Sequence, residues 1–316
     1  LLDARIYIKH GEYEKAKKLF DGKLAPYLND PKQAKSLSRA LKLALNSCYG
    51  LSSAKFKNIM RDDRNVNNIV ALRGALFMKT LQDEVAARGF KVAHIKTDSI
   101  KIPNATKDII QFCMDFARKY GYEFEHQATY ERMCLVNKAV YIAKYKDKDD
   151  CLKQYGYIPE ENEEHGGEWT ATGAQFKQPY VFKTLFSHED LEFADFCETR
   201  AVQKGSIYLD MNENLPEGDH NYIFVGKVGL FCPIIPSRGG GELLRHEDDE
   251  KYYAITGTKD FRWLESEVVE ANGKQNDINV DYYQKLAKEA VESISKYCNF
   301  HEFVSDKPFD SFTLPF

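Results

Sequence analysis

Between residues 66 and 103 the spacing of apolar residues changes from helical to alternating, and this change limits the folds open to the chain. A long amphipathic stretch over roughly residues 66–88 stops at Gly89. The segments FKVAHIK and SIKIP then alternate about a tight turn. A helix followed at once by a strand–turn–strand unit points to a mixed architecture. Within His94 to Pro103, HIKTDSIKIP, Asp98 is the one acidic residue, and Lys96 stands two places before it.

The flanking segments extend this pattern. Residues 1–20 read as a helix in which Leu2, Ile6, Tyr13 and Ala16 share a face. DGKLAPYLNDP is a connector; Pro31 suits a first helical turn, and Asn29 or Asp30 can cap it. The second helix is expected to run to about Tyr49 and to stop near Gly50, making a helical hairpin with the first. A helix over about 105–119 and strands at YEFEHQ, MCLVNK and VYIAKYK follow. This order predicts an α+β fold with a mostly antiparallel sheet and packed helices. Composition shifts at about residue 147, where KDKDD and then the acidic PEENEEHGGEW mark a boundary or insert. Beyond it, SHEDLEFADFCE reads as a capped helix, and HNYIFVGKVGLFCPIIP and KYYAITG read as strands. SRGGGE reads as a loop rather than a phosphate cradle, because no Lys-Ser/Thr follows the glycines. A last helix over about 280–297 places Val280, Tyr283, Leu286, Ala290, Val291, Ile294 and Tyr297 on one stripe.

The chain has 316 residues, 43% of them hydrophobic and 29% charged, with no apolar run near the ~18 residues of a membrane span. Seven cysteines occur without a Cys-x-x-Cys pair, a pattern that argues against a zinc site and suits a reducing, intracellular compartment. The net charge of −4 is unevenly divided: residues 1–150 carry +10 and residues 151–316 carry −14. The basic half is the candidate for a polyanionic partner; ordinary surface scatter is the other reading.

The second helix carries a chemical face. Lys35, Arg39, Lys42, Asn46 and Tyr49 are spaced four, three, four and three apart, so they lie along one stripe. Leu37, Leu41, Ala44, Leu45 and Cys48 lie elsewhere and can pack. Three cations in line can grip several phosphate oxygens, and the amide and phenol can approach a base or sugar. A solvated polar face is the plainer account of the same spacing.

LKLALNSCYG resembles motif B of the family B DNA polymerases, Lys-x-x-x-Asn-Ser-x-Tyr-Gly, and KTDS resembles their motif C, Asp-Thr-Asp-Ser. The two stand in the family's order with helix and then strand–turn–strand between and around them, and LLDARIYIK resembles the start of the family's fingers. The resemblance covers roughly residues 1–145 and is bacteriophage-like in character. It implies fingers over 1–50, a distal palm over 51–147 and, by position only, a thumb-like α/β region over 148–316. It implies that Lys42, with Arg5 and Lys9 four apart on the first helix, contacts the incoming deoxynucleoside triphosphate; for Arg5 an ion pair with Asp3 or Glu12 is the plainer alternative. Asn46 and Tyr49 would lie under the nascent base pair, and Gly50 would let the chain approach DNA closely. Asp98 would be the catalytic and metal-binding carboxylate of a site with two magnesium ions, flanked by Thr97 and Ser99 in the turn. Lys96 would either neutralise Asp98 or contact the primer phosphate, and one of the lysines of NKAVYIAKY, Lys138 or Lys144, would meet the primer backbone.

Two departures from the family pattern bear on activity. Lys96 stands where motif C has its first aspartate, and its charge competes with metal for Asp98. Nothing in the 316 residues resembles motif A, Asp-x-x-Ser-Leu-Tyr-Pro, so the second metal-binding aspartate is expected on an N-terminal portion or a separate chain. The helical character of the first residues fits such a division. The resemblance thus implies the C-terminal part of a DNA-directed DNA polymerase, virus-encoded and active in the host cytoplasm, with primer-template DNA, a deoxynucleotide and its N-terminal portion as partners and no membrane. The alternative is a non-catalytic nucleic-acid-binding remnant. Lys177, Lys183 and Arg200 are candidate DNA-facing residues of the acidic half.

Overall fold

The computed structural model describes residues 1–146, 168–247 and 251–305, so the composition shift at residues 147–150 and most of the acidic insert lie outside the described residues. The fold is α+β, as expected, and every strand pairing among the described residues is antiparallel. Contacts divide the chain into two units, Leu1–Phe124 and Glu125–Phe316.

The first unit is mainly helical. The expected opening helix is broken: α1 spans Leu2–Lys9 and α2 spans Tyr13–Lys17. Gly11, at φ 72, turns the chain between them, where a side-chain-bearing residue is disfavoured. The long helix α3 spans Pro31–Ser52. Asp30 is its cap, accepting the Lys32 N–H at 3.1 Å, and Pro31 sits in the first turn, where its missing N–H costs nothing. α1 packs on α3 through a small cluster containing Ala4, Ile8, Ala34 and Leu41.

The next helix is also divided. α4 covers Asp63–Val66 and α5 covers Ile69–Ala87, with left-handed Asn68 between them. Asp62 caps α4, and Arg64 closes on its carboxylate at 2.7 Å. The Arg64 hydrogen bonds pull the Asp62 carboxyl down to about 2. Gly89 ends the segment at φ 84. The hairpin β1 (His94–Lys96) and β2 (Ser99–Lys101) follows, then α6 (Lys107–Lys119). Leu81 and Val85 of α5 bury themselves with Ile109, Cys113 and Phe116 of α6, while Ile100 and Ile102 pack at the margin of that cluster. YEFEHQ, expected as a strand, has no strand pairing. Phe124 turns instead into the aromatic group around Phe77, edge-on at 5.7 Å.

The second unit is built on three antiparallel sheets. β3 (Tyr130–Leu135), β4 (Tyr141–Tyr145) and β5 (Trp169–Ala171) form one sheet. β6 (Glu198–Ala201), β9 (Val228–Ile234) and β12 (Arg262–Glu265) form another, in the order β12-β9-β6. β7 (Ser206–Asp210), β8 (Tyr222–Gly226), β10 (Glu242–His246) and β11 (Tyr252–Ala254) form the third, in the order β11-β10-β7-β8. Short helices α7 (Ala174–Lys177), α8 (Pro179–Phe182) and α9 (Ser266–Ala271) lie between strands, and α10 (Val280–Ser295) and α11 (Phe300–Val304) close the described chain.

One hydrophobic core holds this unit, with Trp263, Tyr283, Phe176, Phe231 and Ile294 fully buried. The stripe expected on α10 is rotated slightly: Tyr283, Ala290 and Ile294 are buried as expected, joined by Tyr282 and Ala287, whereas Val280 and Tyr297 are exposed. Burying two adjacent tyrosines widens the apolar face of the helix toward Phe196 and Trp263. SHEDLEFADFCE is not a full helix. It contains one 3-10 turn at Phe193–Phe196, in which the Asp195 carboxylate accepts the Glu192 N–H at 2.7 Å and receives Lys183 at 2.9 Å. Arg132 of β3 donates to the carbonyls of Phe303 and Ser305 at 2.9 and 2.7 Å, so the end of α11 is tied to the first sheet.

Ile294→Ala should cost about 2–5 kcal/mol in urea unfolding, whereas Leu72→Ala, at a position 62% exposed, should change stability by no more than about 0.5 kcal/mol. The Asp62 carboxyl should titrate at about 2 by NMR, and Arg64→Ala should move it up toward the ordinary carboxylate range. What its ionised form contributes is therefore fully present above that ordinary range and disappears as pH falls through about 2.

Candidate functional site

The packing of α1 on α3 decides which side chains of these helices are available. Ala4 and Ala34 are almost fully buried, and their small size lets the two helices approach. Arg39, Lys42, Asn46 and Tyr49 are all exposed, as the helical spacing requires once Ala34 and Leu41 face inward. The apolar side of α3 is covered along only part of its length: Leu37 is half-buried, but Ala44 and Leu43 are exposed.

Arg5 and Lys9 lie on α1, one turn apart. Arg5 is half-buried with its Nε–H lacking a partner. The ion pair with Glu12 is not made, because Glu12 holds Lys15 at 2.8 Å. That Nε–H is an unsatisfied buried donor closed off from solvent, so any anion contact by Arg5 would be made by its Nη groups. Lys9 is exposed in the last turn. The structure thus brings the Arg5-bearing helix against the Lys42-bearing helix.

Gly50 does not end the helix. It lies inside α3, which continues to Ser52; the Ser53 N–H donates to the Tyr49 carbonyl at 3.1 Å, and the Ser52 and Ser53 hydroxyls donate to the same carbonyl at 2.8 and 3.1 Å. The glycine needs no left-handed backbone, and open space surrounds the place a Cβ would occupy. Asn65 Nδ2 then donates to Ser52 Oγ at 2.6 Å, tying the end of α3 to α4.

Asp98 sits at the tip of the β1–β2 hairpin. Lys96 pairs with Ser99, so Thr97 and Asp98 alone form the loop. Thr97 has φ 51, and the Asp98 N–H reaches the Lys96 carbonyl at 2.6 Å, closing a three-residue turn. A β-branched residue in that region is held against its own preference. Ser99 Oγ donates to the same carbonyl at 3.2 Å. The side chains of Lys96, Thr97 and Asp98 are exposed. The hairpin belongs to the cluster around Leu81 and Phe116, whereas α3 belongs to the cluster around Ala4 and Leu41.

Among the described residues, no group of three or more His, Cys, Asp or Glu side chains is placed to hold a metal ion. Asp98 offers one carboxylate at a turn tip, and among the described residues no further carboxylates are grouped with it to complete a donor set for two magnesium ions.

The lysines proposed further along fall in the second unit. Lys138 is exposed in the turn between β3 and β4. Lys144 is engaged within its sheet instead: its side chain is 12% exposed, 3.8 Å from Glu168 and over the Trp169 ring. Tyr141 and Tyr145 are buried. Lys177 is exposed, but Lys183 is held by Asp195, and Arg200 donates to Tyr282 at 2.9 Å and pairs with Glu198. Lys183 and Arg200 are therefore structural residues, and neither presents a free DNA-facing charge. Sequence reading missed the Asp210–His220 pair at 2.6 Å, since nothing in the intervening loop signals that β7 and the start of β8 bring them together.

The turn geometry can be tested directly. Thr97→Gly should leave stability unchanged or raise it by about 1 kcal/mol in urea unfolding, because glycine relieves the left-handed strain; a loss of more than that would show that the Thr97 side chain is itself held by contacts.

No family model matches the chain, and no curated protein matches it.

Proposed function

We propose that this chain is the C-terminal part of a family B DNA polymerase, adding deoxynucleotides to a primer 3′-hydroxyl under the direction of a template. The observation that carries this reading is the pairing of α1 and α3, which exposes Lys42, Asn46 and Tyr49 on one helix and sets beside it the helix carrying Arg5 and Lys9, in a unit that also presents Asp98 at a hairpin tip. A triphosphate of charge about −4 needs several cationic donors. Arg5 would offer a forked contact and Lys42 a point charge. Asn46 and Tyr49 follow Lys42 toward the end of α3, where a nascent base pair would lie. In this reading residues 1–50 are the fingers, 51–147 the distal palm and 148–316 the thumb-like region, and primer-template DNA and a deoxynucleotide are the ligands.

Magnesium enters through the resemblance alone. The ions would neutralise phosphate charge, and Asp98 would be one of their ligands, with the remaining carboxylate supplied by a motif A aspartate on another polypeptide segment. The net +10 of residues 1–150 supports a polyanionic ligand.

Lys96 favours a second reading, a nucleic-acid-binding remnant without turnover, because a cation two residues from Asp98 opposes metal binding there. A primed template, deoxynucleotides and magnesium, supplied with a motif A-bearing N-terminal portion, separate the two. The polymerase reading expects extension that Asp98→Ala abolishes while primed-DNA binding is retained, and Lys42→Ala should raise the deoxynucleotide KM roughly tenfold. The remnant reading expects no extension in any pairing, with DNA binding that weakens steeply as salt rises. Extension that Asp98→Ala leaves intact would end the site assignment.

A further inference from the structure

The β11-β10-β7-β8 sheet has two unlike faces. On β7, Ile207 and Leu209 are buried in the core of the second unit, so Ser206, Tyr208 and Asp210 face the other way. The register carries this alternation across the sheet. Tyr208 pairs with Phe224 of β8 and Leu244 of β10, Asp210 with Tyr222 and Glu242, and His246 with Tyr252 of β11. The solvated face of an antiparallel sheet is ordinarily polar. Here it carries the rings of Tyr208, Tyr222, Phe224, His246 and Tyr252, and Phe224 is 63% exposed. The rings brace one another: Tyr222 and Tyr252 stack at 3.8 Å with 4° between their planes, His246 stacks on Tyr252 at 4.4 Å, and Tyr208 meets Phe224 edge-on at 5.4 Å. A platform already braced loses little side-chain freedom when a ligand lands on it.

Charge selects the occupant. Two carboxylates share this face, Asp210 and Glu242, each paired in register with the other. Asp210 is buried and occupied, accepting from His220 at 2.6 Å and from the Asn221 N–H at 2.9 Å. Glu242 is 53% exposed and has only a 3.7 Å approach from Arg262. Both act on the rings: burial raises the Tyr222 phenol, and the charges of Asp210 and Glu242 raise it further. Residues 151–316 carry a net charge of −14. A nucleic-acid strand would be repelled by these carboxylates, whereas a cation is drawn both to them and to the negative face of the exposed Phe224 ring. A guanidinium is the better fit than an ammonium, because it is planar, stacks on an aromatic face and can fork onto a carboxylate. The unit already makes such contacts internally, with Arg245 over Tyr253 at 5.6 Å and Arg200 over Trp263 at 5.5 Å.

We propose that the aromatic face of the β11-β10-β7-β8 sheet docks an arginine-bearing segment of a basic protein partner, with one guanidinium over the exposed Phe224 ring and another against the Glu242 carboxylate. The surface shares no residue with those assigned to nucleotide and DNA and does not depend on that assignment.

A labelled oligoarginine peptide titrated into the full chain, read by fluorescence anisotropy, tests the proposal. Phe224→Ala and Glu242→Gln should each weaken binding roughly three- to tenfold. Glu292→Gln removes the same charge from an exposed position on α10 and should leave binding within about twofold. Glu242→Gln keeps the side-chain shape, so it remains decisive even if Phe224→Ala disturbs the sheet. Equal losses for Glu242→Gln and Glu292→Gln would reduce the effect to net charge and overturn the proposal. So would peptide binding indifferent to Phe224, binding of oligothymidine that Phe224→Ala removes, or self-association of the chain through Phe224 without peptide binding.

Discussion

The polar stripe of α3 is available because α1 closes the opposite side of that helix. Ala4 and Ala34 are small enough to let the two helix backbones approach, and Ile8 and Leu41 fill the space beside them. Once that contact exists, the helical repeat leaves Arg39, Lys42, Asn46 and Tyr49 no inward position. The same contact sets Arg5 on a neighbouring helix, half-buried and with an N–H unsatisfied. Replacing either alanine with a larger side chain would part the helices and disperse the cations, so the electrostatics of the candidate site rest on two residues that carry no charge.

The hairpin follows a different logic. Its carboxylate is presented by a loop of only two residues, closed by backbone hydrogen bonding and held with Thr97 in a left-handed conformation. Strain of that kind persists where the flanking strands over-determine the turn, and Ile100 packing beside the Leu81 cluster contributes to this. The two halves of the candidate site are thus supported by separate hydrophobic clusters of the first unit.

Periodicity made several elements legible in the sequence. Pro31 and its capping Asp30, the break at Gly89, the paired strands about Thr97 and Asp98, and most of the stripe on the last long helix follow from local chemistry. The failures share a cause. Gly50 reads as a helix stop, but its backbone stays helical and the ladder continues through the Ser53 N–H to the Tyr49 carbonyl. YEFEHQ alternates like a strand, yet Phe124 is claimed by the aromatic group around Phe77. SHEDLEFADFCE has the caps of a helix, but Lys183, from another segment, takes the Asp195 carboxylate and holds a single turn.

By itself the sequence determined the helical and alternating segments, the division of charge between the two halves, and the motif residues on which the polymerase resemblance stands. These depend on neighbours within a turn or a hairpin. Tertiary structure alone decided how particular cations are engaged. Lys144, Lys183 and Arg200 look like surface charges in the sequence and are engaged by Glu168 and Trp169, by Asp195, and by Glu198 and Tyr282. It also decided that the outer rings of one sheet gather around Tyr222 and Tyr252. Those partners come from distant strands, and a long-range register is not written in any local spacing.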